Sequence, residues 1–165
     1  MDAIVLAGGF GTRLRPWTLS VPKPLVPLLD TTLIEHSIRI LPRSMVNRVI
    51  IAAGYGIEQM RSYFANLDVG LEVVIVEEKE PLGTAGCLSL IQDSLSGNNL
   101  VVNADVLTDI DYRGLLDFHT KKNSAITVCT REYIHEIPFG VVNVSNGIIK
   151  SIEEKPSIKS WVNAG

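Results

Sequence analysis

Ala3-Ile4-Val5-Leu6-Ala7-Gly8-Gly9-Phe10-Gly11-Thr12-Arg13 joins an unbroken apolar run to a glycine-rich segment. An apolar run with no polar alternation predicts a strand covered on both faces, as in a parallel sheet. The same kind of run recurs at Arg48-Val49-Ile50-Ile51-Ala52-Ala53, closed by Gly54 and Gly56. Further strands are expected over residues 71–76, 99–103 and 125–130. Between these runs the apolar period changes to that of a helix. Residues 33–41, headed by Asp30-Thr31-Thr32, carry Leu33, Ile34, Ile38 and Leu41 on one side. Residues 57–65, 84–95 and 112–122 are expected to be helical as well, the last with Leu115, Leu116 and Phe118 for packing. Towards the C-terminus the rhythm shifts again. Residues 140–144 and 147–152 read as a hairpin turning at Ser145-Asn146-Gly147.

Strands alternating with helices predict an α/β fold: a Rossmann-like open sheet, mostly parallel and flanked by helices, with a small β-hairpin region near the C-terminus. In such sheets ligands bind beyond the carboxyl ends of the strands. Bulk properties agree. The 165 residues fit one domain, and 46% hydrophobic with 20% charged residues is ordinary for a globular protein. The net charge of -3 comes without a Lys/Arg cluster, which argues against a nucleic-acid partner. Cys87 and Cys129 stand apart in apolar surroundings and read as small buried hydrophobes in a reducing cytoplasm. No run reaches membrane-spanning length and the apolar N-terminus is too short for a signal peptide, so a cytoplasmic location is expected.

The loop after the first strand reads Gly8-Gly9-Phe10-Gly11-Thr12-Arg13-Leu14-Arg15-Pro16. Its glycines let backbone N–H groups approach a phosphate, and Arg13 and Arg15 add fixed positive charge. The Walker pattern is absent, and Leu14 stands where a dinucleotide fingerprint needs its third glycine. Taken alone, the segment is also consistent with a plain turn bearing solvated arginines. Lys23 lies between Pro22 and Pro24, which stiffen its backbone.

Gly8 to Pro16, followed by Pro22-Lys23-Pro24-Leu25-Val26-Pro27, resembles the signature of the sugar-phosphate nucleotidyltransferase family. The resemblance implies that Leu6, Ala7, Gly8, Gly9, Gly11 and Thr12 wrap a nucleoside triphosphate. It implies that Arg13 and Lys23 stabilise the transferred phosphate. Pro81-Leu82-Gly83-Thr84-Ala85-Gly86 is similar to the family's base-recognition loop, which makes Pro81, Gly83 and Thr84 nucleotide-binding. In this form it most resembles mannose-1-phosphate guanylyltransferases and other GDP-sugar pyrophosphorylases, and favours GTP. Uridylyl- and thymidylyltransferases carry related loops. Val101-Val102-Asn103-Ala104-Asp105 puts a carboxylate at a strand end, where Mg²⁺ could be held with substrate phosphates. The family commonly reads Asn-Gly-Asp there, and Asp105 takes the place of its metal-binding, catalytic aspartate.

On the sugar side, Pro138-Phe139-Gly140-Val141-Val142 matches the segment along the sugar, and Glu154-Lys155-Pro156 matches a motif binding the sugar 1-phosphate. Val162-Asn163-Ala164-Gly165 matches the start of an Asn-Ala-Gly strand whose asparagine binds the sugar. Gly140, Glu154, Lys155 and Asn163 are the implied sugar-binding residues. The resemblance extends over residues 1–165 as one domain incomplete at its C-terminus, with a second acidic metal ligand expected beyond it. It leaves a homo-oligomer open. His36, His119 and His135 gather around no nucleophile. Three rival readings stand beside the enzyme: a non-catalytic nucleotide or sugar-phosphate sensor, a dinucleotide oxidoreductase, and a plain structural α/β domain, which leaves the long spaced signature unexplained. The second lacks an acid at the tip of strand 48–53 to hold a ribose.

Overall fold

The computed structural model describes residues 1–164; Gly165, the last residue of the Asn-Ala-Gly stretch, lies outside the described residues. In chain order the elements are β1 (Asp2–Leu6), the short β2 (Pro27–Leu28) and β3 (Thr31–Thr32), α1 (Leu33–Arg39), β4 (Arg48–Ala53), α2 (Ile57–Ala65), β5 (Glu72–Glu77), β6 (Leu100–Asn103), α3 (Tyr112–Lys122), β7 (Thr130–Glu136), β8 (Val141–Ser145), β9 (Ile148–Glu153) and β10 (Ser157–Asn163). The chain divides into two compact units, Met1–Leu116 and the residues from Asp117 onward, with the boundary inside α3.

The first unit is built on a parallel sheet of order β5-β4-β1-β6. Val5 pairs with both Ile51 and Val102, so β1 and β4 are inner strands and the apolar runs that form them are fully covered. Successive side chains point to opposite faces. Ala3, Val5, Val49, Ile51 and Ala53 pack with Ile34, Ile38, Leu41 and Met60 on the face that α1 and α2 cover. Ile4 and Ile50 pack with Ile91 on the other. The α/β class and the parallel sheet expected from the sequence are therefore present, and no helix among the described residues is long and apolar enough to cross a membrane.

The helix α1 begins where Thr32 caps it, its hydroxyl accepting a hydrogen bond from the Glu35 N–H. Glu35 is buried yet satisfied: Arg39 donates to it at 2.6 Å and the Tyr63 hydroxyl at 2.7 Å. Hydrogen bonding from Thr31, with that from Tyr63 and the Arg39 charge, outweighs burial and holds the Glu35 carboxyl below the ordinary glutamate value. A depressed acid stabilises the fold above its unfolded pKa, and that contribution is lost as pH falls through the folded one. Wild type is therefore expected to exceed Glu35→Gln in stability most at neutral pH, with the gap narrowing in acid. Denaturant unfolding of both proteins across pH 7 to the carboxylate range of about 4 checks this. A gap that is constant with pH would contradict it.

Two expected elements differ from the fold. Residues 84–95 form 3₁₀ turns, Gly86–Leu90 and Gln92–Ser94, in place of an α-helix. Ser89 and Ser94 hydroxyls bond back to the carbonyls of Gly86 and Ile91 three residues earlier, and the tighter bonding of such turns suits them. Residues 125–129 form no strand; pairing starts at Thr130. His119 at the end of α3 binds the Thr127 hydroxyl at 2.8 Å, and the antiparallel partner β10 pairs from Glu136 back to Thr130, with one further backbone bond from the Ala164 N–H to the Cys129 carbonyl at 2.9 Å. Pairing, more than composition, decided where this strand lies. β10 runs over Ser157–Asn163, where a strand was expected only from Val162 onward. In the same unit β8 and β9 form the expected hairpin, with Asn146 and Gly147 at φ 53° and 75° in its turn.

Candidate functional site

The site grows out of the carboxyl ends of β1, β5 and β6. Backbone pairing runs one step past β1, with the Ala7 N–H donating to the Ala52 carbonyl at 2.8 Å. The chain then opens into the glycine loop. Gly11 has φ 60°, and a Cβ there would lie 2.8 Å from Lys23 Cβ and 2.9 Å from Thr18 Cγ2. Both the backbone conformation and the close approach require glycine. The buried Thr18 hydroxyl donates to the Gly11 carbonyl at 2.8 Å. Residues 18–20 are in turn held from the start of α2, where Tyr55 donates to the Leu19 carbonyl at 3.3 Å and Gln59 to that of Ser20 at 3.1 Å.

Lys23 is placed by the same packing. Pro22 is fully buried and lies against Gly56, where a Cβ would come within 2.6 Å of its ring. Lys23 then starts a single 3₁₀ turn, Lys23–Leu25, whose other two residues are buried. The prolines thus anchor the segment on the core, and only the lysine faces outward. Its ammonium meets the Asp105 carboxylate in an ion pair.

Asp105 follows directly on β6. The Ala104 N–H donates to the Leu6 carbonyl at 3.1 Å, and the buried Ser37 hydroxyl of α1 donates to the Ala104 carbonyl at 3.0 Å. Ala104 is itself buried and has no left-handed backbone, so alanine suits the position where the family commonly has glycine.

These groups surround one cavity of about 610 Å³, a size typical of small-ligand sites. Leu6, Ala7, Gly8 and Gly9 form one wall, and Arg13, Lys23 and Asp105 bring charge to it. Pro81, Gly83 and Thr84 line the opposite loop. Gly11, Thr12 and Arg15 do not line it; Gly11 acts from behind, by shaping the loop. Sequence reasoning passed over seven lining residues, Phe10, Glu78 and Cys87 among them. Glu78 had a readable signal, since it is an acid just past the end of a strand, the same kind of position as Asp105. Burial, with the Glu78 charge as a second cause, pushes the Cys87 thiol up, so it behaves as a packed apolar group.

In the second unit, Gly140 and Glu154 come together, since a Cβ on Gly140 would be 3.0 Å from Glu154 Oε2. Lys155 follows on the bend after β9 with φ 46°, and Asn163 closes β10 opposite Thr130.

No three His, Cys, Asp or Glu side chains gather into a metal cluster among the described residues. A strand-end carboxylate beside a glycine-rich loop suits Mg²⁺, which takes one or two protein carboxylates and completes its shell with water and substrate phosphate. Asp105 fits that donor set.

Comparison with known proteins gives the family and the fold. The nucleotidyl transferase family model matches residues 2–165. A mannose-1-phosphate guanylyltransferase 1 from Arabidopsis thaliana is 36% identical over 175 residues, covering 100% of this chain and 48% of the relative. A mannose-1-phosphate guanylyltransferase catalytic subunit beta from Xenopus tropicalis is 34% identical over 174 residues, with 100% and 48% covered. The chain thus spans about half the length of the curated relatives it matches. The crystal structure of HddC from Yersinia pseudotuberculosis superposes with a TM-score of 0.75 at 24% identity, over 99% of this chain and 74% of that one, which establishes the likeness in fold.

Proposed function

The chain belongs to the nucleotidyl transferase family, and from that premise we propose that it transfers GMP from GTP to a sugar 1-phosphate, mannose 1-phosphate first, releasing pyrophosphate and a GDP-sugar in the cytoplasm. The observation that carries the proposal is the meeting of Lys23 and Asp105 at one point of a cavity walled by the glycine loop.

In this reading a phosphate oxygen of the sugar 1-phosphate attacks the α-phosphorus in line. The bond from the α-phosphorus to its bridging oxygen breaks, and pyrophosphate leaves with that electron pair. Such transfers rely on positioning and charge neutralisation more than on covalent catalysis. The N–H groups of Gly8 and Gly9 would cradle the triphosphate, on a loop whose turn Gly11 shapes. Arg13 forms no ion pair among the described residues, so its guanidinium is available to phosphate oxygens in the cavity that Lys23 also lines. Asp105 would hold Mg²⁺, which when bound neutralises phosphate charge. Pro81, Gly83 and Thr84 would receive the base. Gly140, Glu154, Lys155 and Asn163 are the residues proposed to bind the sugar 1-phosphate.

Pyrophosphate release from the full-length protein tests the proposal, with Mg²⁺, each common NTP and a panel of sugar 1-phosphates. Release with GTP and one hexose 1-phosphate is the expected result. Saturable nucleotide binding without release would turn the reading towards a sensor.

A further inference from the structure

The buried polar side chains among the described residues are Thr18, Thr32, Glu35 and Ser37. Three of them have structural tasks: Thr18 holds Gly11, Thr32 caps α1, and Glu35 is bonded by Arg39 and Tyr63. Ser37 differs. It is 1% exposed and sits in α1 beside the core residues Ile34 and Ile38, where a hydroxyl costs free energy unless it is bonded. Three carbonyl oxygens lie within its reach: that of Leu33 at 3.1 Å, that of Ala104 at 3.0 Å and that of Val106 at 3.5 Å. A serine inside a helix commonly satisfies itself on the carbonyl four residues back, which here is Leu33. The two further acceptors flank Asp105 and come from the turn after β6, so the hydroxyl's own needs do not account for them.

The same helix also holds the segment that carries Lys23. The Leu33 N–H donates to the Val26 carbonyl at 3.1 Å, just past the turn Lys23–Leu25. Leu33 and Ser37 are four residues apart and so lie on one side of α1. One helical turn therefore secures the backbone on both sides of the Lys23–Asp105 contact. Lys23 is the partner of the Asp105 carboxylate among the described residues, so the place of that carboxylate depends on the backbone beneath it. We propose that Ser37 is a positioning residue of the site: its hydroxyl, bonded to the backbone around Asp105, fixes the carboxylate where it takes Mg²⁺ together with nucleotide phosphates. This rests on the nucleotide-transfer reading of the same cavity. Without the hydroxyl, the turn keeps its tie to β1 through the Ala104 N–H but loses its tie to α1. The carboxylate then has more positions open to it, and ordering it takes up part of the free energy of metal binding.

The test is calorimetric titration of the full-length protein with GTP, in the presence and absence of Mg²⁺. The quantity read is the factor by which Mg²⁺ tightens GTP binding, which a change in stability alone does not move. Asp105→Asn sets the lower limit of that factor. Ser37→Ala removes only the hydroxyl and puts the best helix former in its place. It should lower the factor about threefold to tenfold, the equivalent of one neutral hydrogen bond, and leave the metal-free affinity within about twofold of wild type. Ser37→Cys keeps a weak donor and should fall between wild type and Ser37→Ala. It also carries the comparison if melting curves show that the alanine variant does not fold. A factor unchanged in Ser37→Ala would overturn the proposal and leave Mg²⁺ at Asp105 standing. Equal weakening with and without Mg²⁺ would overturn it as well, and make Ser37 a packing residue. A wild-type factor of one, or a factor that Asp105→Asn does not alter, would sink the reading of Asp105 as the metal ligand and the proposal with it.

Discussion

Replacement of Lys23 by Ala, or of Asp105 by Asn, is expected to lower turnover by about a hundredfold to a thousandfold each, the usual loss when one preorganised charge at a transferring phosphate is removed. The two losses should combine to less than their product. The head groups touch, and residues in contact that serve one function are not independent. The same substitutions should barely alter folding. The two side chains are 29% and 35% exposed, and a pair so placed contributes at most about 1 kcal/mol to stability. Steady-state kinetics on the single and double variants, beside their melting curves, separate the two effects. Full turnover with either residue removed would refute their assignment. Loss of turnover only in step with loss of fold would make the pair structural. Ser37 offers a further check, since its hydroxyl lies within reach of the Ala104 and Val106 carbonyls that flank Asp105.

The second large effect concerns the sheet that carries the site. Ile51→Ala is expected to cost about 2–5 kcal/mol, the range for emptying a well-packed aliphatic position. Ile51 is 0% exposed, lies on the inner strand β4 between Val5 and Ile75, and packs under the helical layer. Its neighbours on both sides are bonded into the sheet, so collapse around the void is restricted. Against a total stability of about 5–15 kcal/mol this is a large fraction. Ile148→Ala provides the contrast. That residue is 61% exposed on β9, and its loss should stay within about 0.5 kcal/mol. Urea unfolding midpoints of the two variants measure the difference. Similar midpoints would mean that the sheet is not the stabilising centre.

The part of the fold that was legible in sequence is the part in which local pattern and burial coincide. Residues 3–7 and 48–53 announce inner parallel strands because each is covered on both faces and so carries no polar alternation. The Asn146-Gly147 turn was legible because both residues adopt a left-handed backbone that few others tolerate. Residues 84–95 are helical as expected, in the 3₁₀ form, whereas residues 125–130 were misread because their composition was compatible with several structures and the tertiary partner chose among them. In the site, the glycine loop, Arg13, Lys23 and Asp105 could be named from their types and spacing. Glu78 could have been named with them, yet a Glu77-Glu78-Lys79-Glu80 run reads first as a solvated surface.

By itself, then, the sequence determined the α/β class, the order of the parallel strands' appearance and the position of the glycine-rich loop, since these depend on the residues of one segment at a time. Only the tertiary structure decided that Lys23 meets Asp105 across 82 positions of chain, that Ser37 holds the backbone before Asp105, and that Glu78 turns towards Gly8. Each of these is a convergence of distant segments, and the sheet register and the close packing of Pro22 on Gly56 bring them together.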